Sequence, residues 1–117
     1  MNKTEAIRLF RQQGYTDLNN SNTTFASQNS GINRYWANPK IRLLNNEWWL
    51  ILNDIDNRRL SLFRVPANTI TNRVKMRGDK PKFVDIQIIY DDNDFTDSRS
   101  RIQFAQWLEH SFAYQEL

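Results

Sequence analysis

The residues best placed to do chemistry in this sequence are cations spread from residue 58 to residue 82. This segment carries eight basic side chains against a single acidic one, Asp79, for a formal charge of +7. The eight are Arg58, Arg59, Arg64, Arg73, Lys75, Arg77, Lys80 and Lys82. The whole chain has a formal charge of only +3, so the positive charge is concentrated here. A cluster of this density attracts polyanions, and phosphate backbones in particular.

The spacing of three of these cations suits a phosphate backbone. Apolar residues at alternate positions around Ile70 and Val74 predict a strand over residues 69–77, although the same two residues also fit one face of a helix. In a strand, Arg73, Lys75 and Arg77 share one face at intervals of about 6.8 Å. The alternative role of such a row is to keep a sheet soluble and to protect an edge strand.

Aromatic residues near the predicted strands offer a second kind of contact, since exposed rings stack on the bases of single strands. The candidates are Tyr35, Trp36, Trp48 and Trp49. The run from Trp48 to Leu52 is apolar at every position, which is typical of a strand covered on both faces. Its two tryptophans are therefore expected in the core. Because aromatic residues are ordinary core material, we expect at most one of the four tryptophans to be exposed for function.

Catalytic chemistry has little support in the sequence. The chain has no cysteine and a single histidine, His110, so thiolate sites, cysteine nucleophiles and two-imidazole sites are excluded. The nearest approach is a metal-dependent nuclease, in which Asp85 and Gln87 share a strand face and Glu47 or Asp54 adds a ligand. We expect no catalytic residues, no metal and no small-molecule cofactor, and we interpret Asp91, Asp92 and Asp94 as a solvated acidic turn.

The elements that must position these residues can be predicted from periodicity. Asn2 and Glu5 form a capping box before a helix that ends near Gly14. Short strands are expected over 23–27, 34–37 and 41–44, a hairpin over 48–52 and 58–65, and a further strand over 83–90. Asp97 or Ser98 is expected to cap a last helix that runs to about Tyr114, with Leu108 and Phe112 packed on the sheet. These elements predict one α+β domain over residues 1–117: an antiparallel sheet of about five strands flanked by an N-terminal and a C-terminal helix.

These patterns favour a small nucleic-acid-binding module, with DNA ahead of RNA, such as the recognition part of a prokaryotic defence or mobile-element system. The alternative is an inhibitor, immunity or adaptor protein in which the basic segment meets an acidic protein surface.

The longest apolar run has five residues, far below the roughly 20 that a membrane span requires. We therefore expect a cytoplasmic protein without membrane contacts.

Overall fold

Short elements follow one another along the chain, and most of them are strands. The computed structural model describes residues 1–28, 33–70, 75–76 and 83–114. Within these residues, one α-helix, six strands of four or more residues and one two-residue strand are present. They are α1 (Lys3–Gln12), β1 (Thr23–Ser27), β2 (Arg34–Ala37), β3 (Trp48–Asp54), β4 (Arg59–Val65), β5 (Lys75–Met76), β6 (Val84–Ile89) and β7 (Leu108–Ala113). Two 3₁₀ helices, Ile41–Asn45 and Phe104–Trp107, complete the set.

The apolar strand β3 lies at the centre of the molecule, as its sequence predicts. Trp48, Leu50 and Leu52 belong to a core on one face of its sheet, whereas Trp49 and Ile51 belong to a second core on the other face. The predicted hairpin with β4 is confirmed, because Trp48 pairs with Val65 and Asp54 with Arg59. β3 is apolar at successive positions because it has two cores to fill.

The single antiparallel sheet that we predicted is wrong, because the strands form two sheets. The first has the order β1-β3-β4-β7, and β1 runs parallel to β3. The second has the order β2-β6-β5. β2 and β6 each bury alternate residues, such as Tyr35 and Ile86, so the second sheet has one apolar face and packs with it against the first. Strand periodicity reveals that face but not which strands pair.

Helix α1 covers the other face of the first sheet, and its prediction is confirmed. The Asn2 side chain accepts the backbone N–H of Glu5 at 2.9 Å, which satisfies one of the free donors of the first turn. Ala6, Ile7 and Phe10 are buried against the first sheet. Helix, first sheet and second sheet therefore form three layers of one small α+β domain.

The predicted C-terminal helix is wrong, and the chain forms β7 in its place. The Asp97 carboxylate does accept the Ser100 N–H at 3.0 Å, as a helix cap would, but Arg101 then has a φ of +66°. A right-handed helix cannot continue through that left-handed residue. β7 then pairs with β4, which is buried on both faces and would otherwise present an open edge.

Two further predictions concern the segments around residues 41 and 70. The extended piece expected over 41–44 is wrong, because Ile41–Asn45 forms a 3₁₀ helix. Of the strand predicted over 69–77, Lys75–Met76 is extended and pairs with β6, while residues 71–74 and 77 lie outside the described residues.

No helix in the described part of the chain is long and apolar enough to cross a bilayer.

Candidate nucleic-acid interface

A groove opens where the edges of the two sheets diverge. β1 and β2 are edge strands of different sheets, and an antiparallel bridge between Gln28 and Tyr35 joins them at one end. These two strands, the start of α1 and the 3₁₀ helix Ile41–Asn45 border a groove of about 420 Å³. We call this the basic groove. It is lined by Lys3, Asn20, Ser21, Thr23, Thr24, Phe25, Trp36, Asn38, Pro39, Lys40, Arg42, Leu43 and Phe83.

Three cations line the basic groove, and none of the lining residues named above is acidic. Lys3 Nζ donates to the backbone carbonyl of Asn20 at 2.8 Å, which holds the ammonium at the groove wall. Burial, together with the neighbouring Lys40 ammonium, lowers the pKa of Lys3 from its ordinary value. No described carboxylate forms an ion pair with Lys3, Lys40 or Arg42. The potential of the groove is therefore positive, which is the condition for attracting an anion.

Trp36 is the most exposed of three aromatic residues that line the basic groove, the others being Phe25 and Phe83. Its side chain is 45% exposed, whereas its neighbours Tyr35 and Ala37 are buried between the two sheets. Alternation along β2 therefore fixes the Trp36 side chain on the outer face of the second sheet. Trp48 and Trp49 are buried, and Trp107 is partly buried. The expectation that at most one tryptophan is exposed is thus confirmed.

Arg59 and Arg64, two of the predicted binding residues, lie apart on β4. They are five positions apart, which separates them by about 17 Å and places them on opposite faces of the sheet. Arg59 donates from Nη1 to the Ser111 hydroxyl at 3.1 Å. Arg58 precedes them in the turn from β3. The structure does not bring these three arginines to one surface.

Arg64 is occupied by contacts within the protein. Its guanidinium carbon lies 4.7 Å from the centroid of the Trp49 ring, a cation–π distance. Its Nε lies 3.1 Å from a Glu109 carboxylate oxygen and 4.0 Å from Glu47. This arginine covers one edge of the core beneath α1, in contrast to the cations of the basic groove.

The remaining predicted cations fall largely outside the described residues. Arg73, Arg77, Lys80 and Lys82 lie outside them, and Lys75 is described only as part of β5, where it pairs in register with Asp85. The sequence still connects this segment to the basic groove, because Lys82 directly precedes Phe83, a lining residue. Phe83 forms a bridge with Lys40, another lining residue.

The carboxylates considered for a nuclease site are not assembled into one. Asp85 forms an ion pair with Arg99 at 2.5 Å on the second sheet, while Glu47 and Asp54 precede and end β3 in the first. Among the described residues, no group of three or more metal-ligating side chains could hold an ion. Asp92, from the acidic turn, accepts the backbone N–H of Thr96 at 2.9 Å, and hydrogen bonding from the Thr96 side chain and then from this N–H lowers the pKa of its carboxyl group.

Acidic residues gather at the far end of β3 from the basic groove. Thr23, which lines the groove, pairs with Trp49, and Asp54 is five residues further along, about 17 Å away. The Tyr90 hydroxyl donates to Asp54 at 2.7 Å, and burial together with this hydrogen bond raises the pKa of Tyr90 to about 12. Asp91 and Asp92 border the same region. Charge is thus separated along β3, with cations at the groove end and carboxylates at the other.

Sequence reasoning missed Lys3, Lys40 and Arg42 because it counted charge by segment. Residues 1–57 carry six basic and five acidic side chains, which nearly cancel in the count. Folding separates them, so that three of the bases meet at one groove. A usable signal was present in Pro39 followed by Lys40 and Arg42, a basic turn just after the aromatic strand β2.

Comparison of the chain with protein families, with curated proteins and with solved structures gave no match in any of the three.

Proposed function

We propose that this protein binds nucleic acid through the basic groove. The observation that carries the proposal is the composition of that groove: three cations without a described ion-pair partner beside one exposed tryptophan. Lys3, Lys40 and Arg42 provide phosphate contacts, and such contacts supply most of the sequence-independent affinity of nucleic-acid-binding proteins.

The basic segment that the sequence singles out extends this surface in the proposal. Its last cation, Lys82, is one peptide bond from Phe83 in the groove wall. We propose that further phosphates contact the cations of this segment, namely Arg73, Lys75, Arg77, Lys80 and Lys82. We assign no contact to Arg64, because Trp49 and Glu109 already hold its guanidinium.

The proposal is tested by fluorescence polarisation of DNA and RNA oligonucleotides over a series of salt concentrations. The test variant is Lys40→Gln/Arg42→Gln, and the matched control is Arg8→Gln/Arg58→Gln, which removes the same charge from exposed sites outside the groove. Loss of two phosphate contacts should flatten the slope of log K against log salt by about 1.4–1.8, whereas the control should keep most of that slope. Arg73→Ala/Lys75→Ala tests the flanking contacts in the same way.

The interaction-module alternative predicts a different result. Such a module has no appreciable affinity for nucleic acid at about 50 mM salt, and its charges act mainly on the association rate with a protein partner. Absence of binding to both DNA and RNA at that salt concentration overturns the proposal. If the groove variant and its control lose the same affinity for nucleic acid, the binding site is not the basic groove.

A further inference from the structure

Trp36 occupies a position that core packing does not explain. Its ring is the exposed one among four tryptophans, and no aromatic contact involving it is present among the described residues. Exposure of a large aromatic ring on a polar sheet face is unfavourable in isolation, since burial of such rings is a main source of stability. The buried neighbours Tyr35 and Ala37 hold this part of the backbone in place, so the ring is presented on a rigid support.

The surroundings of Trp36 match the parts of a nucleotide. Lys3, Lys40 and Arg42 share the groove with it, and Arg34 lies two residues earlier on the same face of β2, at about 6.8 Å. Four cations therefore lie in the groove or on the strand that carries this aromatic ring. The groove of about 420 Å³ is of the size that holds a small ligand, within the usual range of roughly 300–1,000 Å³.

We propose that the basic groove is specific for single-stranded nucleic acid, with one base stacked on Trp36 and the adjoining phosphates held by Lys3 and Lys40. This inference rests on the proposed function and adds the substrate class. A duplex presents phosphates to the groove but keeps its base faces within its own stack, and extrusion of a base costs a few kcal/mol. A single strand offers base faces at no such cost, and aromatic stacking accepts any base.

The lowered pKa of Lys3 agrees with this assignment. The Lys3 ammonium is partly desolvated and lies near a like charge, so its protonated form is disfavoured in the free protein. A phosphate between Lys3 and Lys40 offsets the repulsion between their two ammonium groups, while the desolvation of Lys3 remains. Part of the binding free energy therefore comes from relief of a repulsion already present in the groove.

The experiment compares three ligands that carry similar numbers of phosphates. They are a single-stranded oligonucleotide, an abasic strand of the same length, and a duplex of half that length. The variants are Trp36→Leu and Trp36→Phe, and thermal melting confirms that each is folded. One stacked base should be worth roughly 10- to 100-fold in affinity. Trp36→Leu should weaken binding of the single strand by this factor and leave the affinities for the abasic strand and the duplex unchanged. Trp36→Phe keeps an aromatic ring and should bind the single strand nearly as tightly as the wild-type protein. Acrylamide quenching of the exposed tryptophan should fall when the single strand binds.

Two outcomes separate this inference from the proposed function. If Trp36→Leu weakens the single strand, the abasic strand and the duplex by the same factor, or weakens none of them, stacking on Trp36 is wrong while groove binding stands. If no ligand binds the wild-type protein at about 50 mM salt, the proposed function itself is wrong. Tighter binding of the duplex than of the single strand also overturns the inference.

Discussion

Lys3 lies where folding alone would not favour a cation. It is the first residue of α1, close to the positive end of the helix dipole, and it is partly buried near Lys40. Its one described hydrogen bond, to the carbonyl of Asn20, compensates for part of this cost. An anion in the groove would compensate for the remaining cost, which agrees with the ligand that we propose.

The first prediction concerns the pKa of Lys3. Replacement of Lys40 by Gln should raise this pKa toward its ordinary value of 10.5, because the repulsion disappears, whereas Lys40→Arg should leave it lowered. In the wild-type protein the unfolded chain binds this proton more tightly than the folded protein. The Lys3 contribution to stability therefore increases with pH from the lowered value up to about 10.5. NMR titration of the lysine side chains measures the pKa, and an identical Lys3 value in all three proteins would contradict the account.

At the scale of elements, the bounds of the strands could be predicted from the sequence, whereas the pairing between strands could not. β1, β2 and the β3–β4 hairpin were predicted close to their observed bounds from local patterns, alternation in β4 and a continuous apolar run in β3. The pairing of β1 with β3 and of β2 with β6 depends on which apolar faces meet, and local periodicity does not contain that information. The C-terminal segment was misread because Ile102, Ala105 and Leu108 have helical spacing. Tertiary pairing with the edge of β4 prevails over that pattern.

The second prediction tests the turn that replaces the expected helix. Arg101→Gly and Arg101→Ala remove the same charge, but only glycine relieves the left-handed conformation at φ +66°. We expect the Gly variant to be more stable than the Ala variant by about 1 kcal/mol. If Arg101 lay inside a helix, the Ala variant would instead be the more stable of the two, by a similar free energy. Urea unfolding of the two variants decides between the turn and the helix.

The third prediction tests the central position of β3. Leu50 is fully buried between the two sheets, so Leu50→Ala should lower the free energy of unfolding by about 2–5 kcal/mol. The control is Ile55→Ala in the exposed β3–β4 turn, which should change stability by no more than about 0.5 kcal/mol. Similar denaturation midpoints for the two variants would show that β3 is not the centre of the fold.

At the scale of the whole molecule, three layers produce a surface that no single segment encodes. Lys3 comes from α1, Trp36 from β2, and Lys40 and Arg42 from the stretch leading into β3. Only the meeting of two sheet edges brings them together, which is why the sequence analysis, which relied on another basic segment, missed this groove. The single exposed tryptophan was predictable, because burial of the Trp48–Leu52 run already left few others.

NMR chemical-shift mapping shows whether nucleic acid binds in the basic groove, as we propose. A uniformly ¹⁵N-labelled sample is titrated with a short single-stranded oligonucleotide at about 50 mM salt, and the indole N–H signals are assigned through Trp36→Phe. We predict the largest changes at Lys3, Thr23, the Trp36 indole and Lys40, with little change around Asp54 and Tyr90 at the acidic end. Changes centred on Arg58, Arg59 or the acidic end, or no changes at saturating oligonucleotide, would contradict the account.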